Sequence, residues 1–380
     1  MSECFTFDPQ KAGWTRFIPV AAFSLIMLGG FAVTQSSLRD VPVEKWEGIA
    51  DPRRLLEGEA TRQFSAQLND HFLLSKSFAK IERGVTWVIA GDTGASVRQG
   101  CPGWLFLSDE LTPHANAADN AAARAKIISQ TASDLQKSGI KLVVAVVPDK
   151  TRIEESHLCG LHRPAAFANR VNDWVATLVN NRVEVLNFTP ALAAMTGERY
   201  YRSDSHWNER GADLAAKTLA ERLQAMKLVD KPATPPDPKA IQTNTTERSG
   251  DLMRVSNLEG LPAWMRPATE VTQVSKVAPV AVASDDLFGD AGLPTVALLG
   301  TSFSRAANFV PFLSQYLGAP VANLAKDGGD FDGAAFAFLN SKEFKTQPPK
   351  VVVWEVPERM LQKTLTASEK KWLASFSSKT

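Results

Sequence analysis

The sequence predicts an α/β domain of three layers, α/β/α, around a mostly parallel sheet, with one transmembrane helix ahead of it. Three observations predict it. Short apolar segments alternate with amphipathic ones from about residue 142 to 354, as strands alternate with covering helices. The first of these, Leu142–Val147, is a continuous Val-rich run, the pattern of a strand buried on both faces. Near the N-terminus, Phe17–Thr34 reads FIPVAAFSLIMLGGFAVT without one charge.

That uncharged run comes first in the chain. Its roughly 18 residues, at about 1.5 Å each, reach about 27 Å, close to one hydrocarbon core. Lys11 and Arg16 precede it and bias residues 1–16 toward the cytoplasm. Residues 17–34 then form a signal-anchor. A cleaved signal peptide competes with this reading, because Ala32-Val33-Thr34 leaves small residues near the end of the run. A buried soluble helix is a third reading. The first two both export the rest of the chain.

Residues 35–95 read as a membrane-proximal helical arm. Phe64, Leu68 and Phe72 recur at helical spacing there, and so do Phe78, Ile81, Val85 and Val88. The main domain spans residues 96–365. Gly103–Leu107 is a short strand after a Cys-Pro-Gly turn. Asp119 caps a helix running to about Ser138, with Gly139 as its stop. Pro164 opens a helix at about 164–180, Val183–Leu186 is a strand, and Glu209–Met226 is a helix. Thr295–Leu299 is a strand feeding a helix from about Phe303 to Leu317. Val321–Leu324, a helix near 333–341 and Val351–Trp354 complete the series. Residues 229–290, rich in Pro, Thr, Ser and Asp, break the rhythm as a long connection or insertion. The tail, residues 366–380, is amphipathic or frayed.

Composition narrows the function classes. The chain of 380 residues is 44% hydrophobic and 22% charged, with net charge +1. No broad basic field exists to attract nucleic acid, so no nucleic-acid role is expected. Of the three cysteines, Cys4 falls on the cytoplasmic side. Cys101 and Cys159 are the only pair available in an oxidising compartment, and a disulfide between them is expected if their Cα atoms come close enough.

Two short segments carry chemistry. Gly300-Thr301-Ser302-Phe303-Ser304 follows a buried strand, which puts Ser302 at the carboxyl edge of the sheet, where open α/β sheets bind ligands. A following helix would aim free N–H groups at an oxyanion. Alone, a Thr-Ser pair in this position also reads as a helix cap. The second segment is Asp204-Ser205-His206-Trp207-Asn208. In an extended stretch, residues two apart share a face, so Asp204 can hold Nδ1 of His206 while Nε2 meets a nucleophile. A serine hydroxyl needs such a base to become nucleophilic. The plain alternative is a solvated loop before a helix capped by Asn208.

Taken as a set, these segments resemble the alginate O-acetyltransferase AlgJ/AlgX-like proteins. Asp204–Asn208, Gly300–Ser304 and Val352-Val353-Trp354-Glu355-Val356-Pro357-Glu358-Arg359 carry the resemblance. Gly103–Phe106, Val147–Lys150 and Gly250-Asp251-Leu252 add to it. The resemblance runs from about residue 60 to 365. It implies an SGNH-hydrolase-like fold in which Asp-x-His precedes the serine, the reverse of ordinary SGNH esterases. It implies Ser302 as nucleophile, His206 as base and then acid, and Asp204 as its orienter. The Ser302 N–H and Gly328 are the implied oxyanion donors, with Asn323 a further candidate. Phe303 stands where a tyrosine is common in such proteins.

The implied reaction is acetyl transfer to an exported polysaccharide through a serine acetyl-enzyme. Two alternatives stay open: an extracytoplasmic carbohydrate esterase with water as acceptor, and a non-catalytic subunit of a modification and secretion complex. The resemblance also implies partners: a polysaccharide acceptor, a membrane-bound O-acyltransferase that supplies acetyl, and other secretion-complex proteins at the inner membrane, with the catalytic domain in the periplasm. Remaining residues carry two readings each. Glu355 and Arg359 form an ion pair or orient substrate. Lys150 and Arg152 meet an acidic sugar or sit in a solvated loop. Trp207 stacks on a sugar ring or packs in the core. His157, Cys159 and His162 match no standard metal spacing, so neither metal nor cofactor is expected.

Overall fold

The computed structural model describes residues 17–73, 75–232, 241–280 and 293–377. The chain divides into two units, one ending at Val85 and one beginning at Thr86. In the first, helix α1 (Ile18–Leu38) runs past the expected end at Thr34. Its apolar side chains are exposed all round, and its length and composition suffice to cross a membrane. Ser37 lets the helix end close on itself, its hydroxyl donating to Val33 O at 2.7 Å and accepting from Leu73 N at 3.0 Å. Helices α2 (Pro52–Leu56), α3 (Glu59–His71) and α4 (Ser75–Ala90) follow, the last crossing the unit boundary. The side chain of Phe78 lies outside the described residues.

The second unit opens with β1 (Val97–Gln99) and β2 (Leu105–Leu107), an antiparallel pair. Then come α5 (Ala117–Lys137), β3 (Lys141–Val147), α6 (Lys150–Ile153), α7 (Arg170–Asn180), β4 (Glu184–Asn187), α8 (Thr189–Ala194) and α9 (Glu209–Ala225). A hairpin follows, β5 (Ile241–Arg248) and β6 (Glu270–Val277), with the short helix α10 (Asp251–Val255) between its strands. The chain continues through β7 (Val296–Leu299), α11 (Phe309–Leu317), β8 (Val321–Asn323), α12 (Gly333–Leu339), α13 (Lys342–Thr346), β9 (Val351–Pro357) and α14 (Ala367–Ser377).

Five strands form one sheet in the order β4-β3-β9-β7-β8, every pairing parallel. The strands alternate their side chains between two buried faces. Val143, Ala145 and Val147 pack with α9 and α11 through Ala212, Leu219 and Leu313. Leu142, Val144 and Val146 pack on the other face with Ile128 of α5, Trp174 of α7 and Phe338 of α12. Each large side chain buried this way contributes about 1.5–3 kcal/mol. Both faces are thus covered, which is why Leu142–Val147 of β3 and Val351–Trp354 of β9 read as unbroken apolar runs.

Several elements depart from the sequence expectation. Asp119 lies in the first turn of α5, and Asn116 holds the cap position with φ 54°. The helix expected at Pro164 is a single 3-10 turn, Ala165–Phe167, before α7 begins at Arg170. The helix expected from Phe303 is broken. A 3-10 turn spans Ser302–Ser304, and α11 begins only at Phe309. Ala307 and Asn308 both take left-handed backbone (φ 53° and 56°), which no helix continues through. Asn308 Nδ2 holds that break by donating to Glu209 Oε1 at 2.7 Å and Ser275 O at 2.6 Å.

The expected irregular insertion contains the β5–β6 hairpin, while residues 233–240 and 281–292 lie outside the described residues. The tail is docked through α14. Glu369, fully buried, pairs with Arg124 at 2.6 Å, and Trp372 stacks on Trp354 at 5.9 Å.

Candidate active site

Two loops meet at the carboxyl edge of the sheet. The first leaves β7. A Cβ on Gly300 would collide with the Glu355 carboxylate, so only glycine lets the strand end press against β9. Glu355, fully buried at the end of β9, accepts from Thr301 N at 2.7 Å and Ser304 Oγ at 2.9 Å. Burial pushes its carboxyl pKa up, against the pull of those hydrogen bonds. Ser302, between these two anchors, begins the 3-10 turn, where N–H groups have no partner within the turn.

The second loop is a small hairpin closed by the bridge of Tyr200 with Trp207 and by Tyr201 N donating to His206 O at 3.2 Å. At its tip Asp204 Oδ1 accepts both the backbone N–H of His206 at 3.0 Å and its ring Nδ1 at 2.6 Å. The opposite ring nitrogen, Nε2, lies 2.7 Å from Ser302 Oγ. The three candidate catalytic residues therefore converge, with Asp204 buried and Ser302 partly exposed. With Nδ1–H held by Asp204, Nε2 is free to take the serine proton.

The hairpin inserted between α9 and β7 completes this loop. Arg248, at the end of β5, donates to Asp204 Oδ2 and stacks on the Tyr201 ring at 4.2 Å. Asp251 N donates to the same oxygen at 3.2 Å. The Asp251 carboxylate accepts from Ser205 N at 2.7 Å and Ser205 Oγ at 2.6 Å. Gly250 is required because a Cβ there would strike the Ser203 carbonyl. Glu270, at the start of β6, accepts from Arg202 N at 2.7 Å and Ser203 Oγ at 2.8 Å. Burial raises the Asp204 pKa, but the hydrogen bond and charge of His206, with Arg248, outweigh it. The carboxyl is held well below the usual carboxylate range.

Sequence reasoning named Gly250-Asp251 only as a fragment of resemblance and passed over Arg248 and Glu270. No periodicity marks them. Their roles come from pairing with residues at least 44 positions away.

Other candidates fall elsewhere. Lys150 meets no sugar and lies in no solvated loop. It is fully buried, its Nζ donating to Leu105 O at 2.6 Å and to Arg202 O and Asp204 O at 2.9 Å each. All three ammonium protons are thereby used. Arg152 is likewise structural, with bonds of 2.8 and 2.6 Å to the buried Glu358 carboxylate. Arg163 and Arg170 share that carboxylate at 3.1 and 2.8 Å.

Trp207 is 0% exposed and packs against Phe303 at 5.2 Å, so no sugar reaches it. Arg359 does not pair with Glu355. It lies 3.8 Å from Glu110 and 5.2 Å from the Phe303 ring centroid, a buried cation beneath the Ser302–Ser304 turn. Asn323 braces that turn, donating to Ser304 O at 3.3 Å. Gly328 sits in the exposed turn after β8 with φ 64°. That turn abuts the Ser302 loop through Lys326 N donating to Gly300 O at 3.0 Å. Cys101 and Cys159 are joined by a disulfide, their Cα atoms 5.1 Å apart. His157 stacks on Trp104 at 4.0 Å beside it.

Residues 97–358 match the family model described as SGNH hydrolase-like domain, acetyltransferase AlgX. A Pseudomonas putida protein named probable alginate O-acetylase AlgJ is 31% identical, the match covering 85% of each chain. The protein of the same name from Pseudomonas aeruginosa is 29% identical over 95% of this chain and 94% of its own. Among solved structures, the O-acetyltransferase domain of Pseudomonas putida AlgJ superposes with a TM-score of 0.63 at 30% identity. That match covers 75% of this chain and 99% of that one. Pseudomonas aeruginosa AlgX gives 0.55 at 26% identity, covering 73% and 65%.

Proposed function

Because this chain belongs to the family of SGNH hydrolase-like AlgX acetyltransferases, we propose that it transfers acetyl groups to an exported polysaccharide, alginate-like or another exopolysaccharide, through Ser302. The observation that carries the reading is the continuous chain from Ser302 Oγ through His206 to Asp204, with bonds of 2.7 and 2.6 Å.

Ser302 Oγ attacks the carbonyl carbon of the acetyl donor while its proton passes to His206 Nε2. The tetrahedral oxyanion is stabilised by backbone N–H groups, with the Ser302 N–H and the Gly328 turn as the proposed donors. His206 then gives its proton to the leaving group, and acetyl-Ser302 remains. In the second half, His206 takes the proton of a sugar hydroxyl, whose oxygen attacks the acetyl-serine. The collapse leaves the acetyl ester on the sugar and returns the proton to Ser302. Asp204 stays ionised throughout and steadies the imidazolium in each half-reaction.

The apolar α1 supports a single-pass anchor at the inner membrane with the second unit in the periplasm, and the disulfide suits that oxidising compartment. The proposed domain plan follows: residues 1–16 cytoplasmic, 17–34 within the anchor, a helical arm to about 95, and the transferase over 96–365. A membrane-bound O-acyltransferase and the polymer's secretion proteins are the proposed partners.

The test uses the full-length protein in detergent with a chromogenic acetyl ester, with and without oligosaccharide. Mass spectrometry should find one acetyl on wild type and none on Ser302→Ala, and added oligosaccharide should gain acetyl esters. Hydrolysis indifferent to every sugar acceptor would favour an esterase. Ser302→Ala with wild-type acetylation would exclude a serine acyl-enzyme.

A further inference from the structure

The ring nitrogen Nδ1 of His206 faces two carboxylates. Asp204 Oδ1 is 2.6 Å away and Asp251 Oδ2 is 3.7 Å away. One side-chain atom from each of Asp204, His206 and Asp251 can be chosen so that all three lie within 4.8 Å of one another. Ser205 links Asp251 to the ring, its hydroxyl 3.4 Å from Nδ1 and donating to Asp251. Two like charges this close repel, and together they favour a proton on the imidazole. A base for the serine hydroxyl must instead be neutral when substrate arrives.

Several charged or titratable groups among the described residues surround Asp204 and bear on this balance. His206 and Tyr201 come from its own loop, Arg248 from β5 and Asp251 from α10. Lys150, from α6, is committed to three carbonyls including that of Asp204. Glu270, from β6, is committed to Arg202 and Ser203. Among these, Arg248 alone places a cation on a carboxylate oxygen of the pair. It binds Asp204 Oδ2, leaving Oδ1 to hold His206. Its plane is set by the Tyr201 ring at 4.2 Å, so the guanidinium arrives pre-oriented.

We propose that Arg248 is a positioning residue for acetyl transfer. It offsets one of the two negative charges facing His206 and fixes the free oxygen of Asp204, so that the imidazole stays a neutral base at lower pH. The inference rests on the serine acyl-transfer reading and adds the inserted hairpin to the machinery. The loop of Asp204 and His206 and the turn of Ser302 bring the three catalytic groups together, and the hairpin sets their charge.

The pH profile of kcat/KM for the chromogenic ester, measured on the full-length protein, tests this. Arg248→Gln should move the acid limb up by about one pH unit, which lowers activity about tenfold on that limb. Adding Asp251→Asn to it should bring the limb back down, because one carboxylate then remains. Arg248→Lys should lower the plateau while leaving the limb near wild type. Asp251→Asn alone should move the limb below wild type, which keeps a readout if Arg248→Gln does not fold. A merely structural Arg248 would lower the plateau and leave the limb of both Arg248 variants where wild type has it, and that result would overturn the proposal. Ser302→Ala separates the failures. If it is inactive while the limbs stay fixed, only the role of Arg248 falls. If it keeps full activity, the acyl-enzyme reading falls first.

Discussion

Glu355 holds Thr301. The carboxylate at the end of β9 accepts the backbone N–H of the residue before Ser302 at 2.7 Å, and the Thr301 hydroxyl at 3.1 Å. One buried side chain thus fixes the turn that presents Ser302, from the neighbouring strand of the sheet.

Removing that carboxylate strands three donors in the core: Thr301 N–H, Thr301 Oγ1–H and Ser304 Oγ–H. Each unpaired group costs on the order of 1–3 kcal/mol, reduced where the hydroxyls find other partners. Glu355→Ala should therefore lose about 3 kcal/mol of stability by urea unfolding. Glu355→Gln, which keeps one acceptor oxygen, should lose about 1 kcal/mol. A turn displaced by an ångström costs on the order of 100-fold in rate, so kcat should fall well before the fold does. Wild-type stability in Glu355→Ala would refute the anchoring role.

Lys150 supplies a pH-dependent prediction. Burial lowers its pKa from the ordinary 10.5 to about 8, with the carboxylates of Glu110, Glu270, Asp204 and Asp251 opposing the fall. Between those two values the unfolded chain carries a proton that the folded chain has released. The Lys150 contribution to stability therefore rises with pH across that window, is fully present above 10.5, and is lost as pH falls through about 8. Relative to Lys150→Met, wild type should gain stability between about pH 7.5 and about pH 9.5. A difference that stays flat across that range would show that the ammonium is not desolvated.

The disulfide closes a loop with sequence separation 58. Chain-entropy arithmetic gives about 4 kcal/mol for a loop of that length. The paired substitution Cys101→Ser, Cys159→Ser should lower unfolding free energy by about that amount, and reductant should do the same to wild type. A loss below about 1 kcal/mol would mean that packing of Trp104, Phe106 and Leu158 holds the segment unaided.

Much of the architecture was legible without coordinates, because its signals are local. An uncharged run long enough to span a bilayer, Val-rich strands such as Leu142–Val147, and the helical period of Glu209–Met226 each lie within one stretch of chain. So do Asp204-x-His206 and the serine after a buried strand. Helix ends were less legible, since Ala307 and Asn308 break a good helical pattern through left-handed backbone held by Glu209 from a distant helix.

What residues do with their charge was decided only in three dimensions. Lys150, Arg152 and Arg359 each have, as one of two readings, a cation available to substrate, yet each is turned inward onto carbonyls, a carboxylate or an aromatic face. Arg248 and Glu270 stood in a polar stretch with no visible pattern, yet they hold the loop of Asp204 and His206. The sequence by itself determined the long apolar N-terminal helix, the strand series and the two candidate catalytic segments, because hydrophobic period and short motifs are written in neighbouring residues. Only the tertiary structure decided which charges are buried, which are paired, and that the inserted hairpin closes on Asp204. Burial and ion pairing depend on residues brought together from far along the chain, and no local pattern records them.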